Sequence, residues 1–148
     1  MTQVDRQRPI EILLVEDNLE DIRLIQEALK ESKLQTNLCV VQDGVQALAF
    51  LRGEGSYTGV PRPDLILLDL NLPRKNGREV LAEIKKAPNL KRIPVVVLTT
   101  SDAQKDILVS YNLHVNAYIT KPADMEEFTD IIKAIEDFWF QSATLPPE

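Results

Sequence analysis

Short apolar segments alternate along the chain with longer segments of helical spacing. Several of the short segments are rich in β-branched residues and lack polar alternation, which is typical of strands buried on both faces. The pattern therefore predicts five strands: IEILLV (10–15), TNLCVV (36–41), DLILLD (64–69), IPVVVL (93–98) and NAYIT (116–120).

Each predicted strand is followed by apolar residues at helical spacing, such as Ile22, Ile25 and Leu29 after the first strand. Strand and helix alternating five times predict an α/β fold, a doubly wound five-stranded parallel sheet with right-handed crossovers and helices on both faces. In the last helix, Phe138 continues the apolar stripe, whereas Phe140 departs from it. The spacing therefore predicts a packed Phe138 and an exposed Phe140.

Composition narrows the class of protein. The 148 residues, 44% of them hydrophobic, suit one compact domain. The net charge of −6 without a Lys/Arg cluster argues against a nucleic-acid partner. No apolar stretch approaches the roughly 20 residues that span a bilayer, the N-terminus does not resemble a signal peptide, and Cys39 has no second cysteine to pair with. We expect a cytoplasmic protein with no membrane contact.

Polar residues stand where four of the predicted strands end. In an open α/β sheet the functional crevice lies beyond the carboxyl ends of the strands, so these residues are expected to lie together. Crowded carboxylates repel one another, and Mg²⁺, which prefers oxygen ligands, relieves that repulsion. The residues are Glu16 and Asp17 after the first strand, Asp69 and Asn71 at the third, Thr99 to Ser101 after the fourth, and Lys121 and Pro122 after the fifth.

Asp69 is the candidate nucleophile of this group. A carboxylate can accept a phosphoryl group as an acyl phosphate when the charge on that group is neutralised. Lys121 offers a positive charge and Thr99 a hydroxyl donor for the phosphoryl oxygens. The residues alone therefore favour phosphoryl transfer to Asp69.

Four motifs, ILLVEDN, LILLDLNLPRKNG, VVVLTTS and AYITKP, occur in an order and spacing that resemble the receiver domain of bacterial two-component response regulators. The resemblance covers residues 9–140 and leaves residues 1–8 and 141–148 as tails. It implies the flavodoxin-like (CheY-like) fold with strand order 2-1-3-4-5.

The resemblance also implies roles for individual residues. Asp69 would accept the phosphoryl group from a sensor histidine kinase. Magnesium would be held by Asp17, Asp69 and the backbone carbonyl of Asn71, with Glu16 contacting the metal through water. Asn71 and Ser101 would tune the rate at which the phosphate is hydrolysed.

A conformational switch is implied as well. Thr99 and Tyr118 would form the switch pair, because phosphate adds about two negative charges that draw the Thr99 hydroxyl inward and leave room for the tyrosine ring. Lys121 would contact the phosphate, and its bond to Pro122 is usually cis in this family.

Longer segments, among them VVQDGVQALAFLRGEG, RIPVVVLTTS and IEDFWF, resemble the small single-domain regulators that pair with phytochromes. This resemblance implies a phytochrome kinase as partner and no DNA-binding output domain. It also implies a homodimer formed through the last helix, with Phe138, Trp139 and Phe140 as interface candidates. Such a protein turns over no free substrate and is not an enzyme in that sense.

Two other classes of function remain open at this stage. A phosphatase of the haloacid-dehalogenase kind also uses an aspartate at a strand end, but it predicts a second aspartate at position 71, where this chain has Asn71. A receiver-like protein that only binds partners would have no need of mutually repelling carboxylates. Turnover of a generic phosphate ester would favour the first class, and failure to bind Mg²⁺ or a phosphoryl analogue would favour the second.

Overall fold

Five parallel strands form one sheet in the order β2-β1-β3-β4-β5. The structure is a computed structural model and describes residues 8–31 and 34–146. Residues 1–7 and 147–148 of the two predicted tails lie outside the described residues. The predicted α/β fold and the strand order are confirmed. The strands are β1 (Ile10–Val15), β2 (Thr36–Val41), β3 (Leu65–Leu68), β4 (Val95–Thr99) and β5 (Ala117–Thr120).

A helix follows each strand, as the spacing predicts. Four of the five helices begin at an Asn or Asp side chain that accepts a backbone N–H of the first turn, whereas α4 begins at Ala103 without such a cap. The helices are α1 (Leu19–Lys30), α2 (Gly44–Arg52), α3 (Gly77–Lys86), α4 (Gln104–Asn112) and α5 (Met125–Glu136).

Apolar layers cover both faces of the sheet. On one face α1 and α5 pack against alternate strand residues such as Leu14 and Leu67. On the other face α2 and α3 pack against the intervening residues, among them Leu13 and Leu68. Because the strands are buried on both faces, they carry continuous apolar runs and stop where polar residues begin. The change from apolar to polar therefore marks the carboxyl edge of the sheet.

The C-terminal aromatics are placed differently from the prediction. Phe138 is 54% exposed and Phe140 only 7% exposed, so the expected packed Phe138 and exposed Phe140 are wrong. The helix widens after α5 into a π-helix over Asp137–Ser142, in which the Ala143 N–H donates to the carbonyl of Phe138 at 2.6 Å. A π-helical turn holds more residues than an α-helical one, so the stripe shifts around the axis and Phe140 turns inward. Trp139 is half-buried.

The Lys121–Pro122 bond is not cis, since the described residues contain no cis peptide bond, so the expectation of a cis bond is wrong. In the part of the chain that the structure describes, no helix is both long and apolar enough to cross a membrane.

Candidate functional site

Three carboxylates meet at the carboxyl edge of the sheet. Ligand oxygens of Glu16, Asp17 and Asp69 lie within 4.8 Å of one another. The register explains why: Val15 pairs with Leu68, and the Asp69 N–H donates to the Val15 carbonyl at 3.0 Å. Residues directly beyond two neighbouring strands are thereby held side by side. Glu16 and Asp69 are buried, and Asp17 is exposed.

Lys121, directly after β5, offsets part of the negative charge at this edge. Its side chain is only 4% exposed. The ammonium nitrogen Nζ lies near three carboxylates: 2.5 Å from Glu16 Oε1, 2.8 Å from Asp21 Oδ2 and 3.1 Å from Asp69 Oδ2. A buried ammonium group is stable only when it is paired in this way.

Asp21 is a member of this cluster that the sequence analysis missed. It lies in the first turn of α1, which follows the Asn18 N-cap. Acidic residues are common in the first turn of any helix, so the sequence offered no specific signal for Asp21. The partner of Asp21 is 100 residues away at Lys121, and only the fold brings the two together.

Burial and the attraction between Lys121 and the carboxylates shift the pKa values of the cluster in opposite directions. Burial raises the pKa of Glu16 to about 7, with Lys121 opposing the shift and Asp69 adding to it. Burial alone would lower the pKa of Lys121, but its hydrogen bonds to Asp21 and Glu16 outweigh burial and raise the pKa above the usual lysine value. Lys121 therefore remains charged near neutral pH.

The other oxygen of Asp69 faces β4. Thr99, which is fully buried, donates its hydroxyl to Asp69 Oδ1 at 2.7 Å. The backbone N–H of Asn71 donates to the same oxygen at 3.1 Å. Asp69 is thus held between an ammonium group on one oxygen and two neutral donors on the other, an arrangement that suits a carboxylate whose charge must be stabilised.

Tyr118 lies close to the loop that follows β4. Its hydroxyl donates to the backbone carbonyl of Ser101 at 2.8 Å, and the Ser101 N–H faces the Thr99 hydroxyl oxygen at 3.5 Å. The two members of the predicted switch pair are therefore joined through one residue. Asn71, by contrast, is exposed at the lip of the site, with its side-chain amide 3.5 Å from the Thr100 hydroxyl.

The donor set fits a hard divalent cation. All three clustered side chains offer carboxylate oxygens, the ligand type that Mg²⁺ and Mn²⁺ accept. Exposed Asp17 leaves room for the water ligands that Mg²⁺ retains. Glu16 is less available, because Oε1 is bound to Lys121 and Oε2 accepts from the Asn18 N–H at 3.1 Å.

Proteins of similar sequence are known. Residues 12–133 match the family model of the response regulator receiver domain. The chain is 55% identical over 138 residues to the response regulator Rcp1 of Synechocystis sp., which covers 93% of this chain and 94% of Rcp1.

Solved structures that resemble this chain are also response regulators. The phosphorylated cyanobacterial phytochrome response regulator RcpA superposes with a TM-score of 0.93 at 59% identity, covering 95% of this chain and 100% of RcpA. The Mn²⁺-bound form of Rcp1 superposes with a TM-score of 0.91 at 55% identity, covering 94% of this chain and 100% of Rcp1. Together with the acidic edge of the sheet, these likenesses identify the chain as a member of the response regulator receiver domain family.

Proposed function

We propose that this chain is a single-domain response regulator that accepts a phosphoryl group on Asp69 from a phosphohistidine of a sensor kinase. The observation that carries the proposal is the environment of the Asp69 carboxylate. It is 6% exposed at the rim of the sheet, with the Lys121 ammonium 3.1 Å from one oxygen and the Thr99 hydroxyl 2.7 Å from the other. Both groups can stabilise charge on a transferring phosphoryl group.

The proposed reaction has two steps. An Asp69 oxygen attacks the phosphorus, an O–P bond forms, and the P–N bond to the kinase histidine breaks with its electrons leaving on the imidazole. Water later attacks the phosphorus, which releases inorganic phosphate and restores the carboxylate. Asn71, at the lip of the site, and Ser101, in the loop after β4, are the residues proposed to tune the second step. The chain turns over no free substrate, so we do not class it as an enzyme.

Magnesium is the proposed cofactor. Asp17, Asp69 and the backbone carbonyl of Asn71 would hold it, and Glu16 would contact it through water because its own oxygens are already engaged. When bound, Mg²⁺ supplies positive charge that offsets the charge of the phosphoryl group. The carboxylate cluster and the Mn²⁺-bound structure of Rcp1 support this assignment.

The proposed output is a switch between Thr99 and Tyr118. Phosphate at Asp69 would hold the Thr99 hydroxyl inward, which favours the position of Tyr118 in which its hydroxyl binds the Ser101 carbonyl. A ligand shifts an equilibrium only by its differential affinity, so unphosphorylated protein is expected to populate this arrangement already.

A phytochrome is the proposed kinase, because RcpA, the structural relative at 59% identity, is described as a phytochrome response regulator. We also propose a cytoplasmic homodimer with no nucleic-acid partner, in line with the net charge of −6. The dimer would form through the C-terminal aromatics. Exposed Phe138 and half-buried Trp139, whose rings meet edge to face at 5.1 Å, are the candidates that remain. Buried Phe140 is no longer one.

The deciding experiment incubates wild type and Asp69→Asn with Mg²⁺ and acetyl phosphate, and separately with an autophosphorylated phytochrome kinase. We expect acid-stable, alkali-labile phosphate on wild type only. Asp64→Asn is the matched control, because Asp64 precedes the opposite end of β3 and should leave labelling intact. A label on both wild type and Asp69→Asn would place the acceptor elsewhere, and no label on either would favour a protein that only binds partners.

A further inference from the structure

An ion pair joins α3 to α4 beside the proposed switch. The guanidinium of Arg78 meets the Asp106 carboxylate with two hydrogen bonds, from Nε to Oδ1 and from Nη2 to Oδ2, both at 2.7 Å. Asp106 is only 5% exposed. Two parallel bonds of this kind fix the orientation of both side chains as well as their distance.

Asp106 accepts a third hydrogen bond, from a residue that leads back to the site. The hydroxyl of Ser101 donates to Asp106 Oδ2 at 2.6 Å. The same residue, Ser101, offers its carbonyl to the Tyr118 hydroxyl and its N–H to Thr99. Ser101 is therefore held by two sets of contacts. Its side chain binds Asp106 of α4, and its backbone binds Thr99 and Tyr118.

Helix α4 buries few apolar side chains. Its buried residues are the polar Asp106 and Ser110, and apolar Ile107 is half-buried. Leu108 is 63% exposed, and Val109 and Tyr111 are also exposed. The helix lacks a side-chain N-cap. Apolar burial normally supplies most of the energy that docks a helix, so the ion pair carries an unusual share of the docking of α4.

We propose that Arg78 and Asp106 are positioning residues for the switch: through the Ser101 side chain they fix the carbonyl that the Tyr118 hydroxyl binds. Neither residue touches the phosphoryl group in this scheme. Breaking the pair frees the loop after β4. The arrangement in which the Tyr118 hydroxyl binds the Ser101 carbonyl then loses its fixed acceptor and becomes less populated. The consequence for phosphorylation rests on the proposed function, whereas the effect on Tyr118 does not.

The first test observes Tyr118 in protein without phosphate. Fluorotyrosine is incorporated at the three tyrosines of the chain, and the ¹⁹F resonance of Tyr118 is assigned by its loss in Tyr118→Phe. We expect Arg78→Gln and Asp106→Asn each to shift that resonance, with Arg78→Lys in between because it keeps the charge and loses the second hydrogen bond. Arg78 is partly exposed, so Arg78→Gln tests the proposal even if Asp106→Asn does not fold.

The matched control is Arg52→Gln. Arg52 also forms an ion pair with α3, from Nη2 to Glu83 Oε1 at 2.7 Å, but no bond from this pair leads to Ser101. The Tyr118 resonance should stay at its wild-type position in this variant. A resonance that moves no further in Arg78→Gln than in Arg52→Gln overturns the proposal.

The second test measures the rate of labelling by acetyl phosphate. Loss of one hydrogen-bonded anchor is expected to slow labelling about fivefold in Arg78→Gln. In a Tyr118→Phe background the same substitution should change the rate less than about twofold, because the hydroxyl that the network serves is gone. An equal effect in both backgrounds would mean a merely structural role. Absence of labelling in wild type refutes the proposed function, while the ¹⁹F result still decides this inference.

Discussion

Lys121 donates to Asp69 across the end of β4, with Nζ 3.1 Å from Oδ2, although β4 lies between the two strands that carry these residues. The long lysine side chain spans the gap, and the Thr99 hydroxyl at the end of β4 donates to the other oxygen of Asp69. The same ammonium group also pairs with Glu16 and Asp21. The site is therefore held together by one buried positive charge shared among three acids.

Replacing that charge should destabilise the fold. Lys121→Met leaves buried carboxylates unpaired, so we expect the free energy of unfolding at pH 7 to fall by about 3 kcal/mol. Urea denaturation measures this change. Saturating Mg²⁺ should raise the stability of the variant by more than that of wild type, because a bound cation stabilises the native state and replaces the lost charge.

Lys133→Met is the control for that substitution. Lys133 pairs with Glu31 at 3.9 Å, and both side chains are more than half exposed. Exposed pairs of this kind contribute little, so the change should stay within about 0.5 kcal/mol. Equal losses in the two variants would contradict the central role of Lys121.

Gly77→Ala should disturb the loop between β3 and α3, which carries Asp69. A Cβ at position 77 would overlap the Asp69 carbonyl and lie 2.6 Å from the Leu70 Cα, both rigid backbone atoms. We expect a loss of roughly 3 kcal/mol in the free energy of unfolding, together with slower labelling of Asp69. Chemical denaturation and acetyl phosphate labelling provide the two measurements.

Gly55→Ala separates that overlap from ordinary backbone strain. Gly55 has φ of +58° but no atom within 4 Å of an added Cβ. Only the left-handed conformation is penalised there, at about 1 kcal/mol. A Gly77→Ala loss no larger than this would mean that the loop shifts freely to accept the methyl group.

The C-terminal π-helix predicts opposite roles for two phenylalanines. Phe140→Ala removes a buried ring that packs with α1 and α5 and should cost about 3 kcal/mol of stability. Phe138→Ala removes an exposed ring and should cost less than about 1 kcal/mol. Thermal and urea unfolding of the two variants test this prediction. A larger stability loss in Phe138→Ala than in Phe140→Ala would indicate that the α-helix continues regularly through residue 140.

Phe138 also tests the proposed dimer. Phe138→Ser should weaken self-association about tenfold or more, since exposed aromatics often anchor interfaces. Sedimentation over a range of protein concentrations measures the dissociation constant. Labelling of Asp69 should be unchanged, which separates assembly from chemistry. An unchanged dissociation constant would show that the dimer interface does not include Phe138.

The ion pair of Asp106 predicts a specific pH dependence. Hydrogen bonds from Arg78 and Ser101 lower the pKa of Asp106 from 3.8 to about 2, and nearby Lys105 adds to the effect. Because the folded pKa lies below the unfolded one, the stabilisation is complete above about pH 4 and is lost as the pH falls towards 2. The stability gap between wild type and Asp106→Asn should therefore be roughly 2 kcal/mol at pH 7 and shrink below pH 4 in urea titrations.

Much of the fold followed from local pattern. Continuous apolar runs such as LILL in β3 and helical stripes such as that of α1 repeat over a few residues, so the neighbouring sequence defines them. The clustering of Glu16, Asp17 and Asp69 also followed, because parallel strands present their carboxyl ends at one edge. The strand order and the roles of the site residues came from resemblance to a family and not from periodicity.

Pairings between distant residues depended on the tertiary structure. Asp21 meets Lys121, and Arg78 meets Asp106, only after α1 and α4 have docked on the sheet, and surface acids and bases of the same type abound in the sequence. Phe138 is exposed and Phe140 is buried, the reverse of the prediction, because backbone hydrogen bonding widens one helical turn. The spacing of apolar residues in the sequence does not indicate this wider turn. The sequence by itself determined which segments form elements and which ends carry chemistry, because those properties are local. Which charges pair and which aromatic is buried was decided by packing, because both depend on atoms that the chain brings together from far apart.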